Sequence, residues 1–246
     1  MKSVRAVIFD LGGTLIDWPD WDEDIERRWA LSYDYLVSKL PGNHWPARES
    51  YVLAMRQAEK NHWVQVEKRQ ASSKPSDVIL DGFARLGQQA VSEQEVLVAL
   101  DGYAHAVDGW AIVFPDARQT LMTLRERGYK VGLLSNTWWA ADWHNAELAT
   151  HGLNTLFDAV AYTSDLPRSK PHPSVFLHVA ALLGVESEAC VMVGDRMADD
   201  IAGALEAGMR GVWRENTYPW PKPQHIIPSA VITNLAELLP LLEQWR

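Results

Sequence analysis

The chain has 246 residues, 47% hydrophobic and 22% charged, with a formal charge of −9. With 32 acidic against 23 basic side chains and no clustered run of Lys and Arg, it is not expected to hold nucleic acid through the phosphate backbone. No stretch of about 18 apolar residues occurs, and a strand begins almost at once after Met1-Lys2-Ser3, so neither a membrane span nor a secretory signal is expected and the cytoplasm is the default compartment.

Residues 4–15 read as a first strand and the turn behind it. Val4, Val7, Ile8 and Phe9 are β-branched or aromatic, Asp10 ends the run, and Gly12-Gly13-Thr14 follows. That order suits backbone approaching a ligand closely at the carboxyl edge of a parallel sheet. Taken alone, a carboxylate capping a glycine turn accounts for it better.

Helical patterns then take over. Trp18 to Asp24 is acidic and aromatic, and Asp22 or Asp24 is placed to cap a helix running to Leu40, where Pro41-Gly42-Asn43 breaks the chain. A second helix is predicted from Pro46 to about Arg69, with Tyr51, Ala54, Met55, Ala58 and Trp63 apolar. A third leads toward Leu86, and Ser92 with Glu95 opens a fourth that extends to about His105. Residues 18–110 are therefore expected to form a helical insert.

Alternation of strand and helix resumes at Phe114-Pro115-Asp116. Strands are predicted at 130–134, 158–162, 189–193, 210–213 and 231–232. Helices are expected before Gly128, from beyond Trp138 to Gly152, at 173–184, at 201–208 and at 234–242. The single cysteine, Cys190, falls inside a buried strand and has no disulfide partner. This pattern gives an α/β fold with a Rossmann-like, doubly wound parallel sheet and an α-helical cap inserted after the first strand. The division expected is 1–17 with 111–246 as the core, and 18–110 as the cap.

Three later segments repeat the grammar of the first strand. The strand at 130–134 stops at Ser135-Asn136, the strand at 189–193 stops at Gly194-Asp195 with Asp199 and Asp200 beyond, and Arg168-Ser169-Lys170-Pro171 leads into a helix. Parallel strands deliver their carboxyl ends to one face, which would gather a carboxylate, a hydroxyl, a lysine and an acidic cluster. In order and spacing these segments resemble the four motifs of the haloacid dehalogenase-like hydrolases, most of which are phosphatases.

The resemblance implies roles for particular residues. Asp10 would be the nucleophile, with Lys170 and Ser135 the other catalytic residues. Ser135, Asn136, Thr14, Gly13 and Lys170 would surround the substrate. Asp10, the Gly12 carbonyl and Asp195 would hold Mg²⁺, with Asp199 or Asp200 supporting the metal from outside; both spacings occur in the family. The partner expected is a small phosphorylated metabolite, with neither nucleic acid nor membrane, and the chain a monomer or homodimer.

One departure stands out. Phosphatases of this family usually carry Asp two residues after the nucleophile, and this chain has Gly12. General acid–base catalysis is typically worth about 10² to 10⁴ in rate, roughly 3 to 5 kcal/mol of barrier. Dehalogenases of the superfamily also lack that Asp, but they lack the acidic fourth motif too and carry Tyr where Phe176 stands. Phosphonate-cleaving relatives use a cap lysine, for which Lys39, Lys60 and Lys68 are nominal candidates. A catalytically weak phosphometabolite binder is the reading from a different class. If another group supplies the proton, His44 and His62 of the insert are the next candidates.

Twelve tryptophans are many for this length. Packing accounts for most of them. Trp18 and Trp21, just after the nucleophile loop, are expected to contribute to substrate selection.

Overall fold

The structure is a computed structural model and describes residues 2–19, 24–88 and 90–246. The strands in chain order are β1 (Ala6–Phe9), β2 (Ile16–Asp17), β3 (Ile112–Val113), β4 (Lys130–Ser135), β5 (Ala159–Tyr162), β6 (Cys190–Gly194), β7 (Arg210–Arg214) and β8 (Ala230–Ile232). The helices are α1 (Ile25–Lys39), α2 (Arg48–Arg69), α3 (Pro75–Arg85), α4 (Glu93–Val107), α5 (Ala117–Glu126), α6 (Ala141–Thr150), α7 (Pro173–Leu183), α8 (Gly203–Glu206) and α9 (Leu238–Gln244).

Six strands form one parallel sheet in the order β5-β4-β1-β6-β7-β8. β1 has no polar side because both faces of the sheet are covered. Val7 and Phe9 join one cluster with Leu121 and Leu238, while Ala6 and Ile8 join another with Phe176 and Val179. Alternate residues of a strand point to opposite faces, so a sheet sandwiched between helices needs a continuous apolar run. β6 repeats this, with Val191 and Val193 on one side and Cys190 and Met192 on the other. Burial pushes the Cys190 thiol up to about 11, which suits a packing residue and not a reactive thiol. Gly203 opens α8 where a Cβ would stand 2.4 Å from the Phe176 ring, so the small residue lets helix and helix approach closely.

The helices of the insert lie at 25–39, 48–69, 75–85 and 93–107, close to where periodicity places them. Ser92 caps α4 as expected, its hydroxyl accepting from the Glu95 N–H while the Glu95 carboxylate accepts from the Ser92 N–H. Asp24 precedes α1 without a side-chain cap bond, and Asp22, the other expected cap, lies outside the described residues. Trp29, Leu36, Tyr51, Met55, Ile79, Phe83 and Tyr103 form the insert's own cluster, which Trp138 and Trp139 join from the loop after β4. No helix among the described residues is long and apolar enough to cross a membrane.

The tryptophans in this cluster are packing residues. Trp29 and Trp138 are fully buried and lie nearly parallel at 5.9 Å, and Trp139 is also buried. Glu59 sits among them, its Oε2 accepting from Trp29 Nε1 at 2.8 Å and its Oε1 more weakly from Trp138 Nε1 at 3.4 Å. Burial raises the Glu59 carboxyl above its usual range, and the indole N–H groups oppose that by stabilising its charge.

Two details depart from the sequence reading. β2 and β3 pair antiparallel, so the chain leaves for the insert and returns from it side by side; strands of two residues are too short to show alternation. Residues 197–202 form a wide π turn before α8, in place of a regular helix at 201–208. The Ile201 N–H reaches the Arg196 carbonyl at 3.3 Å, the bond over five residues that marks a π turn, and the Asp200 carboxylate accepts from the Arg196 N–H at 2.9 Å. Such turns collect at functional sites.

His62 of α2 is 3% exposed, and neither ring nitrogen has a hydrogen-bond partner among the described residues. Burial pushes its pKa down to about 4. The unfolded chain, with an ordinary value near 6.5, binds this proton more readily. The stabilising effect of a neutral His62 is therefore complete above about pH 6.5 and lost as pH falls toward 4, by about 2 to 3 kcal/mol. His62→Phe is expected to remove that much of the difference between urea-unfolding free energies at pH 7 and pH 4.5. Equal pH dependence in variant and wild type would show that His62 is not buried neutral.

Candidate active site

The strand order reverses around β1, so the carboxyl ends of β1, β4 and β6 open on one crevice. Asp10 follows β1 and is fixed by its N–H, which donates to the Val193 carbonyl of β6 at 2.9 Å. Ser135 is the last residue of β4 and is buried, and Asp195 follows β6.

Lys170 enters from the loop before α7. The Asn136 side chain clamps its backbone, accepting from the Lys170 N–H at 2.8 Å and donating to the Lys170 carbonyl at 3.0 Å. The lysine is 2% exposed, and its Nζ donates to Asp10 Oδ1 at 2.6 Å, to Asp200 Oδ1 at 2.6 Å and to the Leu134 carbonyl at 3.0 Å. An ammonium has three donors, and all are used.

Asp10, Asp195 and Asp200 bring carboxylate oxygens within 4.8 Å of one another. Burial lifts the Asp10 carboxyl to about 6 even though the Lys170 charge opposes it. Burial lifts Asp195 to about 7, with the charges of Asp10 and Asp200 adding to the effect. Burial alone would discharge Lys170, but its two carboxylates override that and hold the ammonium above its usual range. Asp10 and Asp200 share Lys170, while Arg196 bonds Asp199 at 3.3 Å and its charge opposes the rise of Asp10 and Asp195 only in part, so the buried carboxylates outnumber the cations among the described residues. Asp195 Oδ1 is buried and unpartnered among the described residues. Hard oxygen donors, a deficit of positive charge and an unpaired buried acceptor fit a divalent cation such as Mg²⁺, which Asp10 and Asp195 would hold.

The structure separates residues that spacing alone could not. Asp200 lies in the site, while Asp199 turns to Arg196. Gly194 makes room for Asp200, since a Cβ there would stand 2.3 Å from that carboxyl group. Thr14 is fully buried, and its hydroxyl makes a long 3.5 Å contact to Asp10 Oδ2. The N–H of Gly13 donates to the Ile16 carbonyl at 2.8 Å, so it is engaged within its own loop and not offered to a ligand. The Asn136 side chain is likewise turned to Lys170. Lys39, Lys60 and Lys68 are all exposed, unlike the buried site. His44 is exposed in the segment between α1 and α2, and a histidine with a pKa near 4 carries no proton to give at neutral pH, which argues against His62 as an acid.

Trp18 has a place that the sequence did not reveal. A Cβ built on Gly12 would lie 2.7 Å from a Trp18 ring carbon, so indole stands over the missing side chain. Trp18 Nε1 donates to Glu147 Oε1 at 2.9 Å, and its ring meets Trp139 edge-on at 5.6 Å. The left-handed backbone in this loop belongs to Gly13 (φ 73°) and not to Gly12. Trp21 lies outside the described residues. Asn216 and Trp220, which bond Asp195, were also unforeseen; Asn216 shares with Ser135 and Asp195 the signal of a polar residue near the carboxyl end of a strand.

Comparison with known proteins identifies the family. Residues 4–208 match the sequence profile of the haloacid dehalogenase-like hydrolases. Hexitol phosphatase B of Escherichia coli (strain K12) is 32% identical over 96% of this chain and 95% of its own length. A glyceraldehyde 3-phosphate phosphatase of Pyrococcus furiosus is 31% identical over 99% of this chain and 95% of its own. Among solved structures, a 2-haloacid dehalogenase from Pseudomonas syringae pv. Tomato superposes with a TM-score of 0.70 at 26% identity, covering 99% of this chain and 100% of that one.

Proposed function

Because the chain belongs to the haloacid dehalogenase-like hydrolases, we propose that it is a Mg²⁺-dependent phosphatase of small phosphomonoesters, acting through an aspartyl-phosphate on Asp10. The observation that carries this reading is the buried group of Asp10, Asp195 and Asp200 around Lys170. A metal-free dehalogenase would have no use for so costly an excess of buried carboxylates. Phe176 stands in the core against Gly203, away from the role of the dehalogenase tyrosine. Phosphatases similar over nearly the whole chain support a phosphorylated metabolite as substrate, and we place the enzyme in the cytoplasm as a monomer or homodimer.

Lys170 fixes Asp10 Oδ1, leaving Oδ2 to attack phosphorus. The P–Oδ2 bond forms as the bond from phosphorus to the ester oxygen breaks, and water later cleaves the acyl phosphate to release phosphate and restore Asp10. Bound Mg²⁺ would offset the repulsion between carboxylate and phosphate. Ser135 would donate to a phosphoryl oxygen, and Lys170 would balance charge on both Asp10 and the group transferred. Residues 18–110 would act as the lid, with Trp18 at its hinge side.

Trp18 stands over Gly12, the position from which the family's usual Asp would protonate the departing oxygen. Turnover is expected to depend steeply on leaving-group acidity, with p-nitrophenyl phosphate hydrolysed much faster than an alkyl phosphate, and to stop in excess chelator. Gly12→Asp on its own collides with Trp18. Gly12→Asp combined with Trp18→Ala is expected to raise alkyl-phosphate turnover by up to about 10²-fold and flatten the dependence. Halide release from a 2-haloacid in chelator, without phosphatase activity, would overturn the proposal in favour of a dehalogenase.

A further inference from the structure

After β7 the chain turns back over the mouth of the site. Asn216 Nδ2 donates to Asp195 Oδ2 at 2.8 Å, and Trp220 Nε1 donates to the same oxygen at 3.0 Å. The backbone carbonyl of Asp195 accepts from Trp213 Nε1 at 2.9 Å. One carboxylate oxygen therefore has two donors, while the other, Oδ1, is buried with none among the described residues.

The segment making these bonds is itself anchored. Asn216 Oδ1 accepts from the Tyr218 N–H at 3.0 Å, and the Tyr218 hydroxyl bonds Asp17 at the end of β2, just before the insert. The Trp220 ring lies over the Arg196 guanidinium at 3.9 Å. The nucleophile loop is tied in as well, because the Gly13 carbonyl accepts from Arg214 Nη1 at 2.7 Å. Gly13 needs its missing side chain here: a Cβ would stand 2.4 Å from Asp195 Oδ2.

From this geometry we infer that Asn216 and Trp220 are positioning residues for the metal ligand Asp195, a role that presupposes the Mg²⁺-dependent phosphatase proposed above. Their two N–H groups engage Oδ2, fix the plane of the carboxylate and leave Oδ1 for the cation. Partners of this kind orient a ligand, and their loss typically lowers metal affinity 10- to 100-fold. Asn216 Nδ2 also donates weakly to the Gly13 carbonyl of the nucleophile loop at 3.4 Å, whereas the bond described for Trp220 Nε1 goes to Asp195 alone, so deleting that N–H should leave the nucleophile in place.

Mg²⁺ titration calorimetry on the full chain tests this, with wild type, Asp195→Asn, Asn216→Ala and Trp220→Phe compared at one pH. Trp220→Phe keeps a ring over Arg196 and deletes the N–H, so it decides the matter if Asn216→Ala fails to fold. Wild type is expected to bind, Asp195→Asn to lose binding, and each strap variant to bind about 10- to 100-fold more weakly. Saturating Mg²⁺ should then restore kcat in Trp220→Phe. Wild-type affinity in folded Trp220→Phe, beside lost binding in Asp195→Asn, would overturn the positioning role and leave the metal reading intact. No binding by wild type, or undiminished binding by Asp195→Asn, would overturn the metal reading and this role with it.

Discussion

Asp10→Asn is expected to lower phosphate release by on the order of 10⁴-fold or more while the protein stays folded. Asparagine nearly preserves volume but is a poor nucleophile toward phosphorus. The fold should tolerate it because the carboxylate is already disfavoured by burial, which lifts it to about 6. Lys170 keeps two partners, Asp200 Oδ1 and the Leu134 carbonyl. Steady-state phosphate release and a thermal melt measured on the same preparation separate the two effects. Activity within a few-fold of wild type would remove covalent catalysis by Asp10 from consideration.

Much of this arrangement is legible in the sequence because it depends on short-range rules. A strand covered on both faces must be apolar, so the runs at 6–9, 131–134 and 189–193 announce themselves, and whatever polar residue stops each run lands at the crevice. The helices of the insert are legible for the same reason, through periodicity and, at Ser92, through its cap.

What stays hidden depends on packing between distant segments. Asp199 and Asp200 are neighbours of equal charge, and only the π turn and the space left by Gly194 bring the second one inside. Gly12 shows that an acid is missing, but not that Trp18 stands over the gap. Packing is the expectation for most of the tryptophans, but which of them pack shows only in the fold, where Trp138 and Trp139 are buried beside Trp29 and Tyr103. The Pro-rich segment after β7 looks like an irregular connection, and its contact with Asp195 spans 21 residues in one bond and 25 in the other. No local pattern encodes such a pairing.

Lys170→Met is expected to cost about 3 to 5 kcal/mol of stability near neutral pH, along with activity. The side chain is replaced by one of comparable length with no charge, so the penalty comes from the partners left behind. Asp10 and Asp200 each accept from this ammonium at 2.6 Å, and without it they would face each other and Asp195 in a buried space. Protonation is the means of relief. Asp10 already stands at about 6, and loss of the lysine would raise it further. A carboxyl whose folded pKa lies above its unfolded value binds protons preferentially in the folded state, so the penalty is felt as pH rises through the folded pKa and relieved below it. Urea unfolding should therefore show the full deficit at pH 7.5 and a smaller one at pH 5. Mg²⁺ at pH 7.5 should recover part of it, because a cation can stand in for some of the missing positive charge. A variant as stable as wild type at pH 7.5 in chelator would show that Lys170 does not hold these carboxylates together.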